Sequence, residues 1–466
     1  MRLATVAELV DGTVVPDGGD VEVADLEHDS RRVRPGMLFA CIDGAHADGH
    51  DHAVEAVQAG AVALLVSREL HVDVPQIVVA DVRASLGPAA AALHGNPSQA
   101  LTLVGVTGTN GKTTTVRLVA QLLNALGENA EEIGTLTGVR TTPEAPELQR
   151  QLADAVQRKV TTVAMEVSSH ALDQGRVAGC HFRVAVFTNL GIDHLDHHGT
   201  LEAYEAAKAQ LFVPALSEAA VISSDTDAGS RIARDCPLRT VVVDDRIRRS
   251  AVCTATGSTF RWRDQVVTLP LVGGFNVTNA VLAAEVVVEL GYEPSSVAEA
   301  LRQVSPIPGR FETVDAGQDF AVIVDYAHTP DGLGAVLEAA RAVTSGSLFV
   351  VFGAGGDRDQ GKRPLMGAVA ERLADRVVVT SDNPRHEPPD AIAEAIVAGM
   401  NGPPERVELD RRQAIQHALR EACKGDVVVI AGKGHETTQD AGGVVVPFDD
   451  RAVAIEELVS LGKVNG

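Results

Sequence analysis

A glycine-rich stretch at residues 104–115 constrains the fold of this chain more than any other feature of its sequence. The apolar run Leu101 to Val106 predicts a buried strand, and the apolar positions after Lys112 predict a helix. The glycines between them let backbone N–H groups approach a phosphate, while Lys112 supplies a positive charge. A hydroxyl from Thr113 or Thr114 can hold Mg²⁺. The pattern therefore predicts a strand, a phosphate loop and a helix.

The loop departs from the most common phosphate-loop pattern at one position. That pattern has a glycine five positions before Gly111, where this chain has Val106. The alternative is a tight turn that binds nothing, but a turn with this many glycines is entropically unfavourable unless a ligand uses it. We therefore expect a nucleotide triphosphate to bind here.

The length of 466 residues predicts about three domains. Strand and helix patterns alternate, so the predicted fold class is α/β. We place a small N-terminal α/β domain at 1–96, a central P-loop ATPase-type domain with a mainly parallel sheet at 97–311, and a C-terminal Rossmann-like domain at 312–466. The first boundary lies within a linker pattern that runs from His94 to Ala100.

Composition narrows the partners and the location. A net charge of −23 argues against nucleic acid as a partner. No apolar run reaches membrane-spanning length, and the N-terminus does not resemble a signal peptide. The five cysteines are scattered and form no Cys-x-x-Cys pair, which is typical of reduced thiols. We expect a cytoplasmic protein with no membrane insertion.

Three polar residues follow predicted strands of the central segment. The predicted strands are Leu101–Val106, Thr161–Val167, Arg183–Phe187 and Ala219–Ile222. Glu166, His194 and Lys208 fall at or after such ends, where ligands of parallel sheets bind. Each alone is equally well explained as a strand-end carboxylate, a loop histidine or a surface lysine. Together with the phosphate loop they predict a second divalent-metal site.

The C-terminal segment repeats the alternating pattern. Its predicted strands are Phe320–Val324, Leu348–Phe352, Val377–Thr380, Arg406–Leu409 and Val427–Ile430. Charged clusters follow four of these strands, at 325–330, 353–359, 382–385 and 432–436. In this architecture the clusters converge on one sheet edge. No Gly-x-Gly-x-x-Gly with a downstream acidic residue supports NAD binding.

Two asparagines, Asn276 and Asn279, share one face at a predicted helix start. They can bind a base or ribose, or cap the helix, and the sequence alone favours the cap.

In combination these motifs resemble the Mur ligase family over nearly the whole chain, and in particular the members that add the third residue of the peptidoglycan stem peptide. The resemblance implies that ATP phosphorylates a substrate carboxylate and that an amine then attacks the acyl phosphate. It implies ATP and Mg²⁺ as cofactors, UDP-N-acetylmuramoyl-L-Ala-D-Glu and an amino acid as partners, and we expect a monomer.

The resemblance also implies roles for individual residues. Catalytic roles fall on Lys112, Glu166, His194 and Lys208, and metal binding falls on Thr113, Glu166, His194 and a carbamylated Lys208. ATP binding is implied for Gly108, Thr109, Asn110, Gly111, Lys112, Thr113, Thr114, Asn279, Arg310 and Asp325. Binding of the UDP substrate is implied for Ser30, Arg31, Thr141, Thr142, Ser168, Gln174 and Arg176. For Ser30 and Arg31 a solvated turn is at least as good an interpretation. Arg140 departs from the small polar residue expected before the Thr-Thr pair.

The third amino acid follows from the pocket that the resemblance implies, formed by Arg358, Asp382, Asn383, Pro384, Arg385, Gly432 and Glu436. Family members that use meso-diaminopimelate carry Asp-Asn-Pro-Arg, as at 382–385. A bidentate arginine fits the distal carboxylate of meso-diaminopimelate, which L-lysine lacks. We expect Arg358 to be a second carboxylate partner and Glu436 to bind the distal ammonium.

Three alternatives stay open. The same ligase can use another third residue such as L-lysine. A folylpolyglutamate-synthetase-like ligase is disfavoured by the 382–385 motif and the N-terminal domain. A nucleotide-dependent switch is disfavoured because it needs no amine pocket.

Overall fold

Three helix-flanked sheets follow one another along the chain in this computed structural model, which describes residues 1–44 and 47–463. The α/β class predicted from the sequence is confirmed. No helix of the described residues is long and apolar enough to cross a membrane. The exact boundaries at residues 96 and 311 stay predictions.

The first sheet has five strands in the order β1-β5-β4-β3-β2. Strands β2 to β5 are parallel, and β1 runs antiparallel to β5. Short 3-10 turns lie at Ser30–Arg32, Gly49–His52 and Pro97–Gln99. The other elements are α1 (Leu3–Leu9), β1 (Thr13–Val15), β2 (Asp25–Glu27), β3 (Met37–Ala40), α2 (Ala53–Gln58), β4 (Ala63–Val66), β5 (Gln76–Val78) and α3 (Val82–Leu93).

The second sheet has six parallel strands in the order β11-β10-β9-β6-β8-β7. Its strands are β6 (Thr102–Thr107), β7 (Ala130–Ile133), β8 (Thr162–Glu166), β9 (Phe182–Phe187), β10 (Ser217–Ser223) and β11 (Arg239–Val243). Its helices are α4 (Lys112–Ala125), α5 (Ala145–Gln157), α6 (Ser169–Asp173), α7 (Leu195–His198), α8 (Leu201–Ala209), α9 (Asp227–Asp235), α10 (Arg246–Ser250), α11 (Gly274–Glu289) and α12 (Pro294–Leu301). An antiparallel three-stranded sheet is inserted before α11, with β12 (Val252–Thr254), β13 (Gly257–Trp262) and β14 (Gln265–Leu269).

The phosphate-loop strand β6 lies in the middle of the second sheet because its side chains are apolar on both faces. Val104 and Val106 pack into the core beneath α4 and α11, while Leu103 packs into the core on the opposite face. Such two-sided burial is typical of parallel strands covered by helices. The loop that follows β6 is therefore held by a buried strand in the middle of the sheet.

The third sheet has six strands in the order β15-β16-β20-β17-β18-β19, and all but β15 are parallel. Its strands are β15 (Glu312–Val314), β16 (Ala321–Asp325), β17 (Leu348–Phe352), β18 (Arg376–Val379), β19 (Arg406–Val407) and β20 (Val427–Ala431). Its helices are α13 (Pro330–Val343), α14 (Lys362–Leu373), α15 (Pro389–Val397), α16 (Arg411–Glu421) and α17 (Asp450–Ser460). A hairpin of β21 (Thr438–Ala441) and β22 (Val444–Pro447) follows β20.

Every strand predicted in the central and C-terminal segments is present, with small differences at the ends. The strand predicted at Arg406–Leu409 is shorter, because only Arg406 and Val407 pair with β18. The sequence patterns missed β7, β11, β15, the insertion β12–β14 and the hairpin β21–β22. Charged residues interrupt the apolar pattern of β7, and exposed positions alternate along β13 and β14.

Candidate active site

The phosphate loop turns sharply between β6 and α4. Gly108 and Gly111 have φ angles of +148° and +84°, which side chains rarely adopt. A Cβ atom on Gly111 would lie 2.4 Å from Oδ1 of Asn279. The loop therefore needs glycine for its backbone conformation and for the close approach of α11.

Lys112 closes this loop on itself. Its ammonium donates to the carbonyl oxygens of Gly108 at 3.0 Å and Thr109 at 2.9 Å. Burial lowers the pKa of Lys112, and the charge of Glu166 opposes that shift. The helix that begins at Lys112 adds free N–H groups, so this end of α4 is suited to an anion.

Glu166 ends the neighbouring strand β8 and reaches the first turn of α4. Its Oε1 accepts hydrogen bonds from Thr113 Oγ1 at 3.0 Å and from the N–H of Thr135 at 2.8 Å. Arg310 donates from Nη2 to the same Thr113 hydroxyl at 2.9 Å. A buried carboxylate, a hydroxyl and a guanidinium thus meet beside the phosphate loop.

His194 follows β9 and lies beside a second charged group. It has a φ angle of +56°, and its Nε2 is 3.4 Å from Oδ2 of Asp193. Burial lowers the pKa of His194 to about 3, although Asp193 opposes the shift. The imidazole is therefore neutral at neutral pH, which is the form that binds a metal.

Lys208 lies behind the phosphate loop. Its Nζ donates to the carbonyl of Gly108 at 2.8 Å and lies 4.3 Å from the ring centroid of Tyr204. Burial, followed by the charge of Lys112, lowers the pKa of Lys208 well below its usual value. This shift favours the neutral amine, which is the form that reacts with CO₂.

The donors fit a metal that is shared with a substrate. Among the described residues, no group of three or more histidine, cysteine and acidic side chains is arranged to hold an ion. Glu166 and His194 supply one oxygen and one nitrogen, and both line the same cavity. Mg²⁺ keeps several non-protein ligands, so phosphate, a substrate carboxylate or a carbamate on Lys208 can complete the set.

The C-terminal sheet supplies a second cluster of polar side chains, in the loops that follow β18 and β20. Asn383 donates from Nδ2 to Oε2 of Glu436 at 2.8 Å. Lys433 is fully buried and donates to both of these side chains at 3.0 Å. Arg385 has a φ angle of +49°, and its Nη1 donates to the carbonyl of Gly356 at 2.6 Å. The loops after the two strands are thus linked by hydrogen bonds.

A cavity of about 810 Å³ joins these groups. Its walls include residues from both the central and the C-terminal sheets. Of the residues implied by the sequence, it is lined by Thr109, Asn110, Gly111, Lys112, Thr113, Thr141, Thr142, Glu166, Ser168, Arg176, His194, Arg310, Arg358, Asp382, Asn383, Arg385, Gly432 and Glu436.

Some implied residues lie outside that lining. Gly108 and Lys208 form the floor under the loop, and Gln174 accepts from Arg176 at 2.7 Å. The Ser30 hydroxyl donates to Glu55, and the Arg31 guanidinium donates to Asp29. Both hydrogen bonds are exposed to solvent. Thr114, Asn279, Asp325 and Pro384 are buried behind the wall.

The helix-cap interpretation of the two asparagines is wrong. The N-cap position of α11 is occupied by Gly273, so no side chain caps this helix. Asn276 instead donates from Nδ2 to the carbonyl of Val272 at 2.9 Å, and Asn279 faces Gly111 of the phosphate loop.

The sequence reasoning missed the charged pair that joins the two sheets. Lys362 at the start of α14 lies with its Nζ 3.3 Å from Oδ1 of Asp193, and both side chains are about 5% exposed. His328 Nε2 lies 3.8 Å from the same carboxylate. Lysine is rare in this chain and Lys362 lies shortly after the charged cluster at 353–359, but no pattern links it to residue 193.

Comparison with known proteins identifies the class to which this architecture and cavity correspond. Family models match three parts of the chain, described as the Mur ligase family catalytic domain at 22–96, the Mur ligase middle domain at 106–287 and the Mur ligase glutamate ligase domain at 309–434. The chain belongs to the Mur ligase family, whose members are ATP-dependent ligases.

Relatives of similar length carry more specific names. The chain is 45% identical to UDP-N-acetylmuramoyl-L-alanyl-D-glutamate--2,6-diaminopimelate ligase of Geobacillus kaustophilus, over 97% of this chain and 98% of the relative. It is 42% identical to the enzyme of that name from Streptomyces coelicolor, over 97% and 96%.

Solved structures support the same grouping. A structure of UDP-N-acetylmuramoyl-L-alanyl-D-glutamate--2,6-diaminopimelate ligase is 32% identical, with a TM-score of 0.69 over 99% of both chains. Mycobacterium tuberculosis folylpolyglutamate synthase, complexed with ADP and AMPPCP, is 20% identical, with a TM-score of 0.63 over 81% of this chain and 95% of that chain. At that identity the second likeness shows the fold alone.

Proposed function

We propose that this chain adds meso-diaminopimelate to UDP-N-acetylmuramoyl-L-Ala-D-Glu at the expense of ATP. One observation carries the proposal: a single cavity is lined by the phosphate loop, by Glu166 and His194, and by the Asn383–Arg385 loop. Phosphoryl transfer and amine attack need these groups within reach of one substrate carboxylate. The names of the relatives agree with this substrate set.

The first step transfers the γ-phosphoryl group of ATP to the substrate carboxylate, and ADP leaves. Lys112 and the N–H groups at the start of α4 bind the phosphates and stabilise the charge that spreads over them. Arg310 adds a second cation beside Thr113. Mg²⁺ at Thr113, Glu166 and His194 would offset the repulsion between the γ-phosphate and the carboxylate.

In the second step the amine of the amino acid attacks the acyl carbon, and phosphate leaves as the amide forms. The proton that the amine loses balances the leaving phosphate, which departs as HPO₄²⁻. The wall formed by Thr141, Thr142 and Arg176 is suited to hold the acceptor, because Arg176 is fixed by the carbonyl of Thr142 at 3.0 Å. The acyl group is thereby held between the phosphate loop and the C-terminal wall.

Arg385 selects the amino acid in this proposal. The guanidinium lines the cavity and is oriented by the carbonyl of Gly356. It can bind the distal carboxylate of meso-diaminopimelate through two parallel hydrogen bonds. With L-lysine it would face an ammonium instead, which is unfavourable because like charges repel each other.

The test compares amino acids in one assay. Purified protein is given ATP, Mg²⁺ and UDP-N-acetylmuramoyl-L-Ala-D-Glu with either meso-diaminopimelate or L-lysine, and product mass and released phosphate are measured. We expect product mainly with meso-diaminopimelate. Equal rates, or a preference for L-lysine, would contradict the proposed substrate.

A variant pair links the result to the pocket. Arg385→Lys should lower kcat/KM for meso-diaminopimelate by about a hundredfold and reduce the selectivity, since lysine cannot form the bidentate contact. Arg372→Lys is the matched control, because Arg372 is an exposed arginine of α14, a helix that flanks the same C-terminal sheet. An unchanged selectivity in Arg385→Lys would contradict the assignment of this residue.

A further inference from the structure

A fully buried ion pair lies behind the loops that line the amino-acid end of the cavity. Arg411 begins α16 and Asp450 begins α17, and neither side chain has any exposure. The guanidinium donates from Nε to Oδ1 and from Nη2 to Oδ2, each at 2.7 Å. This bidentate geometry fixes both side chains relative to each other.

The same guanidinium also bonds two strand ends. Nη1 donates to the carbonyl of Ser381 at 3.2 Å, and Nη2 donates to the carbonyl of Ala431 at 3.0 Å. Ser381 directly precedes the loop at 382–385, and Ala431 directly precedes the loop at 432–436. One guanidinium group therefore links the residues that lead into both loops.

The separation of the two loops matters for the contacts between them. Asn383 on one loop bonds Glu436 on the other at 2.8 Å, and Lys433 bonds both. Strands β18 and β20 are not neighbours, because β17 lies between them. No backbone ladder joins the two strands directly, and the loop at 382–385 is instead bonded to β21 through an isolated bridge between Arg385 and Ala441.

We propose that Arg411 and Asp450 are positioning residues for the amino-acid pocket, which hold the loops at 382–385 and 432–436 at the distance that amino-acid binding requires. The amino-acid part of this inference rests on the proposed function. The pair lies behind the loops and does not line the cavity. Its effect is therefore on the geometry of Asn383, Arg385 and Glu436.

The competing explanation is that the pair only docks α16 against α17. The next residue provides a matched control. Arg412 pairs with Glu456 at 2.7 Å and with Glu457 at 2.8 Å, so it also joins α16 to α17. Its bonds reach neither Ser381 nor Ala431, so Arg412→Lys weakens helix docking without releasing the loops.

The experiment compares Arg411→Lys, Asp450→Asn and Arg412→Lys with the unmodified protein. Amide hydrogen exchange at 382–385 and 432–436 is measured first, because it does not depend on activity. We expect faster exchange in both loops for Arg411→Lys and Asp450→Asn. For Arg412→Lys we expect the exchange rates of the unmodified protein. Asp450→Asn keeps the shape of the side chain, so it serves if Arg411→Lys does not fold.

Steady-state kinetics provide the second readout. For the Arg411 and Asp450 variants we expect kcat/KM for meso-diaminopimelate to fall by about tenfold to a hundredfold, as misplaced contacts do. The KM for ATP should stay within about twofold, because the hydrogen bonds of Arg411 and Asp450 reach neither the phosphate loop nor the side chains of Arg310 and Asp325.

The outcomes separate the two proposals. The positioning role would be overturned if the two loops exchanged at equal rates in the Arg411 and Arg412 variants. It would also be overturned if kcat/KM fell equally for all substrates. An unmodified protein that makes no product with meso-diaminopimelate would overturn the proposed function. In that case the exchange of the two loops still decides whether the pair holds them in place.

Discussion

The ammonium of Lys362 and the carboxylate of Asp193 form a buried ion pair, 3.3 Å apart, between the C-terminal and central sheets. His194 lies beside the same carboxylate. The pair therefore joins the wall that carries the proposed amino-acid pocket to the loop that carries a proposed metal ligand. Its removal should affect how the two walls of the cavity meet.

We expect Lys362→Met to lower kcat/KM by about thirtyfold or more, which corresponds to about 2 kcal/mol for a buried charge left unpaired across an interface. The exposed Lys424 in the same part of the chain gives the control Lys424→Met. Addition of Asp193→Asn to Lys362→Met should restore part of the loss, since the orphaned charge is removed. Additive losses in this double-mutant cycle would show that the two residues act independently.

Gly111→Ala should abolish the use of ATP. Its φ of +84° disfavours a side chain, and the added Cβ would lie 2.4 Å from Asn279. Gly127, after the same helix, has a φ of +91° with nothing within 4 Å of its Cβ position. Gly127→Ala should therefore cost about 1 kcal/mol of stability and leave the KM for ATP unchanged. Similar ATP kinetics in the two variants would refute the steric argument.

Lys208 should react with CO₂ because burial lowers its pKa and so favours the neutral amine. With isotopically labelled bicarbonate, NMR of the protein should show a carbamate signal that Lys208→Met lacks. Lys159→Met, which changes an exposed lysine, should retain the signal. Activity should fall in CO₂-depleted buffer and return when bicarbonate is added. A signal of equal size in both variants would assign the carbamate elsewhere.

Asp325 should give the protein a distinctive pH profile. Burial raises its pKa to about 6, although Arg310 opposes the shift. A carboxyl whose pKa is higher in the folded state stabilises the fold at low pH, and this contribution is lost as pH rises from about 4 to about 6. Relative to the unmodified protein, Asp325→Asn should gain about 2–3 kcal/mol over that window.

The measurement for Asp325 is the free energy of unfolding at several pH values. Asp325 accepts from the N–H groups of Phe311 and Ala327, so the amide loses one bond at every pH. That loss shifts the whole profile without changing its slope. Glu338→Gln, at an exposed position, is the control. Parallel profiles for Asp325→Asn and the unmodified protein would contradict the raised pKa.

Local patterns in the sequence predicted most of the parallel strands and the phosphate loop. Apolar runs such as Leu348–Phe352 are unambiguous because both faces of the strand are buried. The charged clusters could be placed at one edge, because parallel strands end on the same side. The Asp193–Lys362 pair could not be predicted, because it depends on how two different sheets meet in the tertiary structure.

The strand order was also beyond a local pattern. Residues 382–385 and 432–436 belong to strands that are separated by β17, so their contact through Asn383 and Glu436 follows from tertiary structure. The antiparallel insertion at β12–β14 was missed because its strands are short and half exposed. Its inward face packs on α11 through Trp262 and Glu285, which no periodicity indicates.

The cavity has walls from two different sheets, and this has a consequence for how such enzymes diversify. The groups assigned to phosphoryl transfer lie mainly on the central sheet, whereas those assigned to the incoming amine lie on the C-terminal sheet. Exchange of the C-terminal segment between relatives would therefore alter the choice of amine while the energy-coupling apparatus is inherited unchanged. The choice of incoming amino acid can therefore evolve while the residues that activate the substrate carboxylate stay the same.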